Sequence, residues 1–179
     1  MNLMQAAVKT ARQYVGQKEI KGNNGFENPV FDRYMRMVGF ENGWAWCALF
    51  AELCWLQEPY ENKAFLMPII TDCFSANAVK SYENFAVDKS GFFKTSLTPS
   101  MGALVVWASM TNGQPNKSGI WTRGHAGIVS NVYPDRFKSI EGNTNSQGGR
   151  EGIEVAEKTR YVNYLDQNGL VVKGFVSLR

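Results

Sequence analysis

The sequence feature that most constrains the fold is a change in hydrophobic pattern near Met101. Before this point, apolar residues recur at helical spacing, and the first predicted helix carries Leu3, Ala7, Ala11 and Val15 on one face. After it come five short β-branched or aromatic runs, "GALVVWA", "GHAGIVSNVY", "RFKSIEG", "EVAEKTRYVNY" and "LVVKGFVSL". Helices followed by closely connected strands predict an α+β fold, with N-terminal helices packed on a C-terminal antiparallel sheet.

Three further helices are predicted in the first half of the chain. "VFDRYMRMVG" places apolar residues on one helical face and ends at Gly39. A third helix is expected from about Cys47 to Gln57, stopped by Pro59. Another is expected over residues 75–85. The 179 residues suit one domain over 1–179.

Composition and charge exclude several classes of protein. The net charge of +3 is too small to indicate nucleic-acid binding, and no basic cluster is interleaved with aromatic residues. No apolar run reaches the roughly 18 residues of a membrane span. The first residues lack the pattern of a signal peptide, so we expect synthesis in the cytoplasm and export by another route.

The distribution of cysteine and histidine narrows the chemistry. The three cysteines Cys47, Cys54 and Cys73 form no CxxC pair, which is a poor disulfide or zinc framework, although a bond from Cys73 to either of the others stays open. His125 is the one histidine in the chain. Any Cys–His mechanism must therefore use it, and a multi-histidine metal site is excluded. Phosphate-loop, G-x-S-x-G and H-E-x-x-H motifs are also absent.

Cys47 lies where a thiol can become a nucleophile. It follows "GWAW" and opens an apolar helical run. The N-terminus of a helix offers free N–H groups and partial positive charge, which lower a thiol pKa. A nearby imidazole can accept the thiol proton, and the backbone N–H can stabilise an oxyanion. Cys54, two turns deeper in the helix, has none of these features and is interpreted as a core residue.

The remaining catalytic candidates lie on two predicted strands. His125 begins "HAGIVSNV", and sixteen residues later "IEGNTN" supplies Glu141 and Asn143. If that segment is a strand, these two side chains share one face. A carboxylate or amide there can accept the second ring N–H of the imidazole and fix its orientation.

Each signal taken singly has a structural alternative. A free cysteine before an apolar helix is more often buried filler, a lone histidine is more often structural, and "EGN" fits a turn. The order of the three signals favours catalysis, because a helix-start cysteine, a strand histidine and then a carboxylate or amide is the order of cysteine proteases.

The stretches "GWAWCALFAELCW", "GALVVWA", "GHAGIVSNV" and "SIEGNTN" resemble the CHAP family of cysteine, histidine-dependent amidohydrolases/peptidases, within the wider papain-like and NlpC/P60-like group. The resemblance implies a papain-like fold and hydrolysis of amide bonds in bacterial peptidoglycan, as an N-acetylmuramoyl-L-alanine amidase or an endopeptidase, in the manner of a phage-type endolysin. It assigns Cys47 as nucleophile, His125 as general base and then acid, Glu141 as orienter of the imidazole and Asn143 as an auxiliary polar residue. No cofactor is implied.

The chain departs from the family pattern at two places. Papain-like enzymes often place a glutamine before the cysteine as an oxyanion donor, and here only Asn42 offers an amide in the preceding loop. Some family members bind calcium through an Asp-rich loop. The scattered Glu27, Asn28 and Asp32 lack that spacing, so we expect no metal requirement.

Substrate contacts are predicted at Trp44, Asn42 and Trp121, although tryptophans are more often packing residues. The expected partner is peptidoglycan, met after release by a holin or a secretion system, and we expect a monomer without a nucleic-acid partner. Two alternatives stay open. One is a cysteine amidohydrolase acting on a protein or another amide, and the other is a catalytically inactive wall-binding module.

Overall fold

The computed structural model describes residues 1–111, 114–115, 123–144, 152–161 and 169–179. Its helices are α1 (Leu3–Gln13), α2 (Pro29–Met37), α3 (Cys47–Leu56), α4 (Lys63–Cys73) and α5 (Ala78–Val87). Its strands are β1 (Phe93–Ser96), β2 (Leu104–Thr111), β3 (Gln114–Pro115), β4 (Gly124–Val132), β5 (Arg136–Thr144), β6 (Glu154–Tyr161) and β7 (Leu170–Leu178). The α+β prediction, with helices first and strands second, is confirmed.

Local capping explains where the first two helices begin. The Asn2 side chain accepts a hydrogen bond from the Gln5 N–H while the Gln5 side chain accepts one from the Asn2 N–H, which is a complete capping box. Asn28 caps α2, whose first residue is Pro29. These signals are readable in sequence, and both helices lie within two residues of their predicted positions.

Helix α4 and strand β1 were not predicted. Helix α4 follows Asn62, which has a φ of 60° and provides no side-chain cap, and it contains Pro68. A proline inside a helix removes a backbone donor and normally argues against one. The burial of Leu66, Ile70 and Cys73 shows that tertiary packing favours the helix despite these signals.

The described strands form one antiparallel sheet in the order β1-β7-β2-β4-β5-β6, with β3 paired to β2. The C-terminal strand β7 therefore lies between β1 and β2. Irregular register interrupts the β2–β7, β4–β5 and β5–β6 pairs. The last irregularity falls between Glu141 and Thr144, at the predicted catalytic segment.

Helix α3 is the centre of the main core. Nine of its ten residues are buried, and it packs on α1 and against β4 and β5. A second apolar cluster, which includes Trp107, Phe137 and Phe175, lies apart from this core. The cysteines Cys47, Cys54 and Cys73 are buried and free, so neither of the two possible bonds to Cys73 forms. Among the described residues, no helix is long and apolar enough to cross a membrane.

Candidate active site

Cys47 is the first residue of α3, and the start of this helix has no side-chain cap. The N-cap residue is Trp46, which makes no side-chain capping bond. The first N–H groups of the helix are therefore without the usual acceptor and can stabilise negative charge. The Trp46 N–H itself donates to Asn143 Oδ1 at 3.1 Å, and Trp46 Nε1 donates to the buried Glu19 Oε2 at 2.7 Å. The residue before Cys47 is thus fixed from two sides.

The sheet brings His125 and Glu141 together from neighbouring strands. His125 is in β4 and Glu141 in β5, and Nε2 of the imidazole lies 2.9 Å from Glu141 Oε2. The carboxylate is completely buried. Gly127 gives it room, because a Cβ atom there would lie 2.7 Å from Glu141 Cγ. A larger residue at this position would push the carboxylate away from the ring.

The Cys47 thiol contacts the same imidazole. It is hydrogen-bonded to His125 and to the backbone groups of Ala48 and Ala126. Since Nε2 of His125 is bound to Glu141, Nδ1 is the ring nitrogen left for Cys47. The helix start, the imidazole and the carboxylate therefore form one continuous chain from Cys47 to Glu141.

Electrostatics favour charge separation along this chain. Burial by itself would raise the pKa of the Cys47 thiol, but the His125 charge and hydrogen bond, aided by the two backbone groups, bring it below its ordinary value. Burial likewise opposes the charged imidazole, and Cys47 and Glu141 overcome this effect and raise the pKa of His125. Both shifts favour a thiolate–imidazolium pair, which is the reactive form of catalytic cysteines in general.

The other two thiols are inert by the same criteria. Burial raises the pKa of Cys54 well above its ordinary value. Burial also raises the pKa of Cys73 to about 11, with smaller contributions from Asp88 and Asp72. A buried thiol with a raised pKa is a poor nucleophile. The sequence-based interpretation of Cys54 as a core residue is confirmed by its zero exposure.

Asn143 lies beside the start of α3, and its side-chain hydrogen bonds go to the backbone rather than to the imidazole. Its Oδ1 accepts from the Trp46 N–H, and its Nδ2 donates to the Gly152 carbonyl at 2.8 Å. It has a φ of 52° at the point where the β5–β6 register is irregular. Regular alternation, on which the expected shared face with Glu141 depended, therefore does not continue through this residue.

The carboxylate of Glu141 has two partners that sequence reasoning missed. Ser139 Oγ donates to Oε1 at 2.5 Å, and Arg160 donates to both carboxylate oxygens, with Nε at 2.8 Å from Oε1. Ser139 could have been found, since residues two apart on a strand share a face. Arg160 lies on β6, and only the pairing of β5 with β6 brings it to Glu141.

Cys47 and His125 lie in a groove of about 1590 Å³. Its lining comes from residues 19–23, 44–45, 75–78, 123–125 and 152–153, together with Glu27, Cys47, Asn143 and Leu170. The loop at 19–23 is part of this lining, because Glu19 binds Trp46 Nε1 and the Gly43 N–H donates to the Asn23 carbonyl at 2.7 Å.

The predicted substrate contacts have different positions. Trp44 lines the groove and is 44% exposed, so its ring is available to a ligand. Asn42 is exposed, is not part of the lining, and accepts a hydrogen bond from Arg36 Nη2 at 3.0 Å. The structure therefore does not bring this amide to the nucleophile as a second oxyanion donor. Trp121 lies outside the described residues.

Of the residues considered for calcium, Asn28 caps α2, and Asp32 lies within α2 and is engaged in internal contacts. Asp32 pairs with Arg36 at 2.7 Å and accepts from the Phe26 N–H. Within the described ranges, no group of three or more His, Cys, Asp or Glu side chains could hold a metal ion. That the chemistry needs no metal or cofactor stays a prediction.

A family model for the CHAP domain matches residues 39–143, more than half of the chain. The matched segment includes Cys47, His125 and Glu141 and ends at Asn143. This match confirms the resemblance predicted from the motifs. It also supports a hydrolase of the amidase or peptidase type that acts on peptidoglycan. No curated protein and no solved structure is significantly similar to the chain.

Proposed function

We propose that this chain, which belongs to the CHAP domain family, hydrolyses an amide bond of bacterial peptidoglycan with Cys47 as the nucleophile. The observation that carries the proposal is the contact of Cys47 with His125, whose other ring nitrogen lies 2.9 Å from the completely buried Glu141. A nucleophile, a base and an orienting group in this arrangement suffice for acyl transfer.

In the first half of the reaction, the Cys47 thiolate attacks the amide carbonyl and forms a tetrahedral oxyanion. The backbone N–H of Cys47, at the uncapped start of α3, is a donor for that oxyanion. When the carbon–nitrogen bond breaks, the His125 imidazolium gives its proton to the leaving amine. The products of this half are the free amine and a thioester on Cys47.

In the second half, His125 is neutral and acts as a base. It accepts a proton from water as the water oxygen attacks the thioester carbonyl. Collapse of the second oxyanion releases a carboxylic acid, and Cys47 leaves as the thiolate beside the imidazolium. Throughout the cycle, Glu141 keeps Nδ1 of the ring directed at Cys47 by holding Nε2.

The size and surface of the groove fit a polymeric substrate. Its volume of about 1590 Å³ exceeds the roughly 300–1,000 Å³ of typical small-molecule sites. The lining combines polar groups, such as Arg123 and Asn77, with the exposed apolar side chains of Ile20, Trp44 and Ile153. A peptide attached to a sugar presents both kinds of surface.

Purified cell-wall sacculi provide the direct test. The wild-type protein should solubilise them and release new amino groups, whereas Cys47→Ala and His125→Ala should each abolish release and retain the folded circular-dichroism spectrum. Cys73→Ser is the matched control, because its thiol has a raised pKa and lies outside the groove lining. Mass spectrometry of the fragments identifies the bond, since an amidase frees the N-terminus of the first alanine and an endopeptidase frees an internal amine.

Two results would contradict the proposal. Intact sacculi after incubation with the folded wild type would exclude peptidoglycan as the substrate. Equal activity of wild type and Cys47→Ala would exclude the thiol mechanism. Iodoacetamide separates these cases from an inactive wall-binding module, because an active Cys47 is alkylated at pH 6 much faster than a free thiol in solution.

A further inference from the structure

Arg160 binds the Glu141 carboxylate together with Ser139 and His125. Its guanidinium donates through Nε and Nη2 to the two carboxylate oxygens, so the contact is bidentate. Bidentate arginine–carboxylate pairs fix the plane of the carboxylate as well as its position. The Arg160 side chain is only 17% exposed, and the carboxylate is completely buried.

Trp107 links Arg160 to the imidazole by a second route. The Arg160 guanidinium carbon lies 5.1 Å from the centre of the Trp107 ring. The same ring lies beside His125, with ring centres 5.6 Å apart, and Trp107 is the direct partner of His125 in the β2–β4 register. One buried ring thus supports both the imidazole and the cation that holds its carboxylate.

We propose that Arg160 is a positioning residue for the thiol mechanism, acting through Glu141 to hold His125 in its catalytic orientation. The inference rests on the proposed function of Cys47 and His125. Arg160 is not part of the groove lining, so its effect passes through Glu141 rather than through contact with substrate. It belongs to β6, beyond the segment that matches the family model.

Geometry explains why the Glu141 carboxylate needs Arg160 in addition to His125 and Ser139. An orienting carboxylate must keep one oxygen on the ring nitrogen while the imidazole changes charge twice in each cycle. His125 binds only Oε2, and Ser139 binds Oε1 through a single bond. The planar fork of Arg160 engages both oxygens, which resists rotation of the carboxylate about its own axis.

Arg160 also sets the balance of charge around the imidazole. The charged or titratable groups that act on the His125 imidazole or on its carboxylate partner are Cys47 from α3, Glu141 from β5 and Arg160 from β6. Glu141 favours the imidazolium, and the Arg160 cation offsets part of that effect. Without the cation, the His125 imidazolium holds its proton more tightly, so loss of the imidazolium moves to higher pH.

The test compares Arg160→Gln, which removes the charge, with Arg160→Lys, which keeps the charge but loses the fork. For Arg160→Gln we expect kcat on sacculi fragments to fall by about 10²-fold with little change in KM. The basic limb of the plot of kcat/KM against pH should move to higher pH by about one unit. Arg160→Lys should keep the wild-type limb and lose only part of kcat.

The Arg160→Gln substitution is also made in the Glu141→Gln variant, which tests whether Arg160 acts through Glu141. If Arg160 acts through Glu141, the Glu141→Gln/Arg160→Gln double variant loses little more kcat than Glu141→Gln alone, because residues that act as a unit are not additive. This double variant also leaves no unpaired buried carboxylate, so it keeps the comparison available if Arg160→Gln fails to fold. If the double variant instead loses kcat by the product of the two single-variant losses, the proposal is overturned.

Lys138→Gln is the matched control for a merely structural ion pair. Lys138 binds Glu157 at 3.0 Å across the same two strands, away from the groove lining. It should change neither kcat nor the pH profile. A basic limb of Arg160→Gln that stays in place or moves to lower pH would overturn the proposed role of Arg160.

The pH profile of iodoacetamide labelling separates this proposal from the proposed function. Wild-type Cys47 that reacts at pH 6 no faster than a free thiol would reject the thiol mechanism itself. A wild-type enzyme that is reactive and hydrolytic, with Arg160 variants matching it in kcat and in pH profile, would reject the positioning role alone.

Discussion

A carboxyl group buried in α3, the helix that begins at Cys47, allows a quantitative prediction about stability. Glu52 is in α3, is only 6% exposed, and has its pKa raised by burial from 4.5 to about 8. Replacing it with Gln keeps the shape of the side chain and removes the titration. We therefore expect Glu52→Gln to stabilise the protein at neutral pH but not in acid.

The pKa values give the magnitude and the sign. Between pH 4.5 and about pH 8, the folded protein binds a proton at Glu52 that the unfolded chain has released. Stability therefore falls as pH rises through this window and levels off above it. At about 1.36 kcal/mol per pH unit, the penalty at pH 7 is about 3 kcal/mol, and below pH 4.5 it vanishes.

Urea unfolding followed by tryptophan fluorescence measures this difference. Glu52→Gln should raise the free energy of unfolding by about 3 kcal/mol at pH 7 and by about zero at pH 4. Glu41→Gln is the control, since Glu41 is exposed, and it should leave stability nearly unchanged at both pH values. An equal gain for Glu52→Gln at pH 4 and pH 7, or no gain at pH 7, would refute the reasoning.

Substitutions at three residues probe the site itself. Gly142→Ala places a Cβ atom 2.5 Å from the Trp46 ring. It should cost about 1–3 kcal/mol in urea unfolding and lower kcat by displacing the start of α3; wild-type kcat would contradict this. Glu141→Gln removes the charge that favours the imidazolium, so the basic limb of the kcat/KM profile should move to lower pH and kcat should fall by about 10²-fold; an unmoved limb would argue against an orienting carboxylate at His125. Asn143→Ala loses both side-chain hydrogen bonds and places a Cβ-bearing residue without polar contacts at a φ of 52°. It should lower the free energy of unfolding by about 2–4 kcal/mol. Asn143→Gly loses the same hydrogen bonds without the backbone strain, so equal unfolding free energies for the two variants would show that the strain is negligible.

Capping and periodicity allowed much of the fold to be predicted. Apolar residues at helical spacing predicted α1 and α2, Gly39 marked the end of α2, and the five β-rich runs each became a strand. Prediction failed for α4, where a proline and an uncapped start contradict the helix. It also failed for β1, which is four residues long. Local signals were weak at both places, and long-range packing decided the outcome.

The candidate site divides in the same way. A histidine that is single in the chain, and a cysteine at a predicted helix start, were visible without a structure. The partners of Asn143 and the contact of Arg160 with Glu141 were not, because they depend on the pairing of β5 with β6 and on the packing of α3 against the sheet. The register of β5 on β6 is irregular between Glu141 and Thr144, and no local sequence pattern predicts this irregularity.

By itself, the sequence indicated most of the element types, their order, and Cys47, His125 and Glu141 as catalytic candidates, because periodicity, capping and residue chemistry are local properties. Only the tertiary structure decided that Glu19 fixes Trp46, that Asn143 binds the backbone before the nucleophile, and that Arg160 holds the buried carboxylate. These contacts join residues distant in the chain. They arise from strand register and from the packing of α3 on the sheet, which are properties of the whole fold.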